Sequence, residues 1–411
     1  MQRAVALVLA GGRIRGYGVL TLNRTKAALP FAGFYRIADF ALSNLARSGI
    51  GRVGLICQYL PASLIEHVGS GEAWGLNGFG CEVRLMPPFV GVGKIEWFRG
   101  TADAIYQNIN FIYDWNPSYV IICSAEHVYS LDFGDVIAFH EAADADLTIV
   151  EKQASADLLS KRFGYVVSDA EGRVLRFDEK PATPPSDRIS IGIYVFNKNG
   201  LIQQLERLAQ GEKCFNLARD IIPSMIDGHR VVTYPFRGYW NYLETVADYY
   251  DASMSLLGDS PEIDLAGWGI ETNPNDRGLR RRPSAIVGPT ATVRDSLISP
   301  GCQIEGTVER SILSPGVLVE RDALVCDSIL MHDVQVGRGA RCYRVVSDKD
   351  AVFERGSDAG SPASGPSLNR SNLTLIGKGF TVKPRSSVHW RAVGATPGGR
   401  QAAGQGWAEH G

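Results

Sequence analysis

The sequence predicts an α/β domain, built on a mostly parallel sheet with helices on both faces, followed by a parallel β-helix. Three observations carry this. An apolar run, AVALVL at 4–9, opens directly into Gly11-Gly12-Arg13, as a buried strand does when it ends in a loop that can approach an anion closely. Strand-like runs then alternate with amphipathic segments as far as about residue 255, the pattern of helices returning over a parallel sheet. Beyond residue 283 the apolar period becomes six, which fits neither a lone helix nor a hairpin meander but does fit short strands stacked coil on coil.

In chain order, the strand-like runs after 4–9 are 53–57, 119–123, 147–150, 165–168, 192–196 and 230–234. Helix-like stretches fall at 36–48, 102–113, 133–143 and 201–208. In the second of these, Ala102, Ile105, Ile109 and Ile112 lie three and four apart, as one helical face requires. Ligands of such sheets sit at the carboxyl ends of the strands, which is where Gly11 and Glu126 fall. Residues 258–283, rich in Gly, Pro, Asn and Asp, read as a linker. Ile312, Leu318, Leu324, Leu330 and Val336 then keep the step of six, as do Val287 with Val293 and Ile298 with Ile304. The β-helix is therefore placed at 284–356, with 371–388 offering one further coil, 357–367 a flexible insertion, and 392–411 a disordered tail.

The 411 residues suggest two or three domains, and 42 basic against 44 acidic residues leave no basic stripe for nucleic acid. The Arg280–Arg282 cluster, Arg3, Arg24 and Lys26 read as solvated charge. Seven cysteines contain no Cys-x-x-Cys pair, and no apolar stretch spans a bilayer, so a cytoplasmic protein without a membrane partner is expected. The glycine loop is neither a dinucleotide fingerprint nor a Walker loop. His127 and His332 lack a second ligand at metal spacing, and His332 is expected to face solvent.

The phrases YRIADFALSN at 35–44, CQY at 57–59, WFRGTADA at 97–104, FG at 163–164, FDEKP at 177–181 and SIGIYVF at 190–196 together resemble bacterial glucose-1-phosphate adenylyltransferases. The match runs in order over about residues 1–355. It implies a Rossmann-like nucleotidyltransferase domain at 1–257 joined to a left-handed parallel β-helix. The implied reaction is ATP with glucose 1-phosphate giving ADP-glucose and pyrophosphate, assisted by Mg²⁺ held on carboxylates, in a homo- or hetero-tetramer. By the same resemblance Gly11, Gly12, Gln58, Gly100 and Thr101 serve the nucleotide, Gln58 at the adenine edge. Phe98, Gly164, Glu179, Lys180, Ser190 and Asn216 serve the sugar phosphate. Thr101 also suits a helix N-cap, and Asp39 suits a structural partner for Arg36.

Four departures from the family pattern fall on chemistry. The loop normally reads Gly-Gly-x-Gly-x-Arg-Leu; here the catalytic Arg position is Gly16, leaving Arg13 and Arg15 as the candidate cations. The first metal carboxylate is Glu126 in place of Asp, displaced by one methylene, and about 1 Å of misplacement costs on the order of a hundredfold in rate. The second metal carboxylate position is Tyr242, with Glu244 two residues on, and a sugar-side Asp position is Asn216. Three readings follow: an adenylyltransferase re-tuned around Glu126, Arg13 and Arg15; a ligand-binding regulatory subunit beside a catalytic paralogue; and a nucleotidyltransferase for another sugar phosphate.

Overall fold

Six consecutive small or branched apolar residues make Ala4–Leu9 a strand (β1) that is buried on both faces. Val5 and Leu7 point into one core with Ile105, Ile112, Val120 and Ile122, while Ala6 and Val8 alternate to the opposite, equally buried face. The computed structural model describes residues 3–11, 15–88, 97–155, 162–209, 215–362, 373–384, 387–388, 392–395 and 401–402. They divide into two units, one of residues 1–12, 37–242 and 266–271, the other of 13–36, 243–265 and 272–411.

In the first unit, β1 is followed by helix α1 (Ala38–Arg47), strand β2 (Arg52–Ile56), helix α2 (Ala62–Val68) and strand β3 (Glu82–Met86). Next come helices α3 (Thr101–Gln107) and α4 (Asn110–Trp115), strands β4 (Tyr119–Ser124) and β5 (His127–Tyr129), and helix α5 (Phe133–Ala142). Strands β6 (Leu147–Gln153), β7 (Gly164–Ser168), β8 (Val174–Glu179) and β9 (Arg188–Asn197), helix α6 (Lys198–Ala209), and strands β10 (Val231–Pro235) and β11 (Trp240–Tyr242) complete it. The main sheet runs β8-β7-β9-β4-β1-β2-β3, and β6 pairs with both β9 and β10. Pairing is parallel around β1 and antiparallel wherever β9 takes part. The single helix expected over 102–113 is broken, because Asn108 leaves helical geometry and turns its amide back onto the Ala104 carbonyl at 2.8 Å. Asp39 pairs with His67 at 2.6 Å rather than with Arg36, which pairs with Asp276 at 2.7 Å in the second unit. The expected linker is partly pinned: Ser43 and Trp74 hold the main chain at Glu271.

The second unit is a left-handed parallel β-helix with three ladders of short strands. Its coil is seventeen residues between Leu324 and its partner Arg341, so the inward positions Leu313, Val319, Val325 and Leu330 step by six, six and five. A strict period of six drifts out of that register, which leaves Leu318 and Leu324 only half-buried while Val319 and Val325 are fully buried. The Asp358–Gly360 strand, inside the expected insertion, pairs with Arg341–Tyr343; residues 363–367 lie outside the described residues. Thr374–Ile376 and Thr381–Val382 extend two ladders, and Ala392 and Val393, expected as tail, pair with Leu375 and Ile376. Helix α7 (Val246–Met254), fixed by a Thr245–Asp248 capping box, belongs to this unit. Arg24 and Lys26 are not solvated. Arg24 meets Asp348 at 2.8 Å, and Lys26 donates to the Leu243 carbonyl at 2.7 Å, all in buried surroundings. His332 is likewise buried, not solvent-facing. Among the described residues no helix is long and apolar enough to cross a membrane.

Candidate active site

A cavity of about 290 Å³ opens at the carboxyl ends of β1 and β4, where Leu9, Gly11, Ser124 and Glu126 line it. Gly11 allows the loop to pass the next strand: a Cβ there would stand 2.5 Å from the Gln58 nitrogen. Its second wall is the β7–β8 pair, which sets Gly164 opposite Glu179. Lys180 follows in the left-handed region at φ 52°, its N–H donating to the Phe163 carbonyl at 3.0 Å. A non-glycine residue in that conformation costs on the order of 1 kcal/mol or more and collects at functional sites. The third wall is a bulge in β9, where register is lost between Ser190 and Tyr194. There the Ser190 hydroxyl donates to the Tyr194 hydroxyl at 3.1 Å, and Gly192 turns at φ 72° beside His127.

Thr101 and Asn216 close the rim. Thr101 is the first residue of α3, not its N-cap, which is Gly100; its hydroxyl accepts the Leu217 N–H at 2.8 Å. Asn216 caps the next helical segment by accepting the Arg219 N–H at 3.0 Å. The cavity thus gathers Gly11, Thr101, Glu126, Gly164, Glu179, Lys180, Ser190 and Asn216. Gln58, Phe98 and Gly100 are not in its lining. The Gln58 side-chain Oε1 accepts the Phe98 N–H at 2.6 Å, and Gly100 is pressed against the Phe215 main chain. Gly12, Arg13 and the Arg15 side chain lie outside the described residues.

Burial pushes the Glu179 carboxyl above its ordinary range, opposed by Lys180 and Arg219. The floor is aromatic. Tyr242 stands opposite His127 in the β5–β11 pair, its ring edge-on to His127 at 5.0 Å, parallel to Trp240 at 6.2 Å and 5.7 Å from Phe163. The Trp240 indole N–H donates to His127 Nδ1 at 3.3 Å. Sequence reasoning missed Arg162, Phe163, His127 and Trp240 as lining residues: strand register sets His127 opposite Tyr242, and Phe163 meets Tyr242 only through a ring contact in the folded chain.

A divalent metal on the carboxylate pair expected from the resemblance does not fit this donor set. Glu126 supplies one member of that pair, the position expected for the other is Tyr242, a phenol packed among three rings, the remaining lining carboxylate is Glu179 beside Lys180, and no group of three His, Cys, Asp or Glu among the described residues could hold a metal ion.

The profile of the family described as Nucleotidyl transferase matches residues 5–258, and that described as GlmU-like, C-terminal hexapeptide matches 285–382. Glucose-1-phosphate adenylyltransferases of Bacillus mycoides (strain KBAB4), Bacillus cereus (strain ATCC 10987 / NRS 248) and Bacillus anthracis are each 37% identical over 383 residues, covering 92% of this chain and 99% of the relative. With profile, sequence and fold agreeing from the first strand into the β-helix, the chain belongs to the glucose-1-phosphate adenylyltransferase family of nucleotidyltransferases.

Proposed function

We propose that this chain binds glucose 1-phosphate in the cavity, turns it over with ATP weakly or not at all, and serves as the ligand-binding regulatory subunit of a cytoplasmic hetero-oligomer with a catalytic paralogue. The observation that carries this is an asymmetry. Gly164, Glu179, Lys180, Ser190 and Asn216, the residues expected to serve the sugar phosphate, converge on one cavity, while Tyr242, at the position expected for the second metal carboxylate, lies inside an aromatic cluster.

Nucleotidyltransferases of this family use a divalent cation. In an active relative Mg²⁺ would neutralise the reacting phosphates; here, of the carboxylate pair expected to hold it, Glu126 is the one present. Each remaining residue has a binding role. Lys180 is a compact cation for the sugar phosphate, Glu179 accepts from sugar hydroxyls, and Asn216 and Ser190 bound the ring. Gly11 and Thr101 face the nucleotide side, where Gly12, Arg13 and Arg15 would meet the triphosphate. Electrostatic stabilisation is usually the largest catalytic term, and one lost donor costs roughly 3–4 kcal/mol. The second reading, an active enzyme re-tuned around Glu126, Arg13 and Arg15, is favoured by the presence of Glu126 in the lining.

Two measurements separate them. Calorimetry should show glucose 1-phosphate binding that Lys180→Ala weakens by about tenfold or more, as loss of a charge-assisted contact does; an unchanged isotherm would remove Lys180 from the site. Pyrophosphate release by the purified chain with ATP, glucose 1-phosphate and Mg²⁺ should be near background; robust release would establish the second reading.

A further inference from the structure

Resting on the reading of the cavity as a sugar-phosphate site, we propose that capture of the sugar phosphate by this chain is independent of a divalent cation, with Arg162 joining Lys180 to supply the positive charge. The first observation is that the phenol at the metal position is built in. Tyr242 is held by strand pairing to His127, and its ring is bounded by His127, Trp240 and Phe163 at 5.0, 6.2 and 5.7 Å. Such a packed ring does not yield its place to a hydrated cation. The second observation is that two cations sit on the same wall. Arg162 lines the cavity half-buried, its guanidinium 5.7 Å over the Phe163 ring, and the next residue's carbonyl receives the Lys180 N–H at 3.0 Å. One short stretch of main chain therefore presents both cations, and the left-handed backbone of Lys180 is what turns the chain at that point. Phe163 links the two observations, because the ring beneath Arg162 also packs on Tyr242. A guanidinium seated on an aromatic face is partly desolvated and preorganised for a phosphate dianion. The charge that a dication would bring is thus replaced by a fixed side chain, and no bond is made or broken.

The test is calorimetric titration of the full chain with α-D-glucose 1-phosphate, once in MgCl₂ and once in EDTA, for the parent, Arg162→Gln, Arg162→Lys and Tyr242→Asp. The expected result is a parent affinity equal in the two buffers to within about twofold, a loss of about tenfold in both buffers for Arg162→Gln, and partial recovery in Arg162→Lys. Tyr242→Asp should acquire an affinity that is higher in MgCl₂ than in EDTA. Parent binding that requires MgCl₂ overturns this proposal while leaving the sugar-phosphate site standing. Absence of binding in both buffers overturns the site and the proposal together. Cation-independent binding that Arg162→Gln does not weaken overturns the assignment of Arg162.

Discussion

Gly164 and Glu179 show how one residue of a site can be set by packing and its neighbour by charge. A Cβ on Gly164 would stand 2.6 Å from Phe177 Cζ and 3.0 Å from Glu179 Oε2. Gly164→Ala should therefore destabilise the first unit by about 1–3 kcal/mol, the usual cost of overpacking, and thermal unfolding should show the drop; a parent-like midpoint would mean the β7–β8 pair is slacker than it looks. The raised Glu179 carboxyl has a definite pH sign. The folded state holds its proton more tightly than the unfolded chain, so this group opposes folding increasingly as pH rises through and above the ordinary Glu range. Glu179→Gln should match the parent near about pH 4 and exceed its stability near about pH 7, while losing affinity for the sugar. Equal stabilities at both pH values would mean the carboxyl is better solvated than its surroundings suggest. Both residues were legible in the sequence, because FG and FDEKP are contiguous phrases. The aromatic floor was not, since His127 and Tyr242 lie far apart in the chain and only the register of β5 with β11 puts Tyr242 opposite His127, and the FG phrase does not show that its Phe163 packs on Tyr242.

Elements carry the same lesson at longer range. The sequence signalled the β-helix through a step of six, yet the ladder pairs residues seventeen apart and packs its core at six, six and five. A pattern of six catches the repeat and misses the shortened third corner, so it falls on half-buried Leu318 and not on buried Val319. The same limitation hid His332, a polar residue in a coil whose burial depends on what covers it. Burial, then the nearby Arg36, Lys349 and Arg282 charges, hold its imidazole well below the ordinary histidine range, with Asp276 opposing. The unfolded chain therefore takes up a proton here before the folded one does, so stability is complete above about pH 6.5 and declines as pH falls below it. Lys349, lowered to about 7 mainly by burial, titrates on the alkaline side of that window. Urea midpoints at about pH 7.5 and about pH 5 should fall more steeply on acidification for the parent than for His332→Gln. Parallel losses in the two proteins would exclude His332 as the sensor.

At the scale of the whole molecule, the β-helix begins on an uncovered coil. The described strands pair Ile286–Val287 on one side only, with Gln303–Ile304, so the first coil presents an open strand edge. Ile286 and Val287 are 60% and 54% exposed there, whereas Ile304, one coil on, is buried. An uncovered apolar edge is a template for another chain, and closed assemblies are the usual way such surfaces are satisfied. A tetramer, the assembly expected from the resemblance, would supply the cover, either as further copies or as a catalytic paralogue meeting the same coil. Sedimentation of the purified chain should therefore give a mass that is a multiple of 44.7 kDa, and Ile286→Lys with Val287→Lys should shift the distribution toward the single chain without unfolding it, because these side chains touch little within their own coil. A parent that sediments as a monomer at all concentrations would argue that the edge is reserved for the paralogue. Mixing the two subunits would then have to give the larger particle and, on the regulatory reading, ADP-glucose synthesis above that of this chain alone.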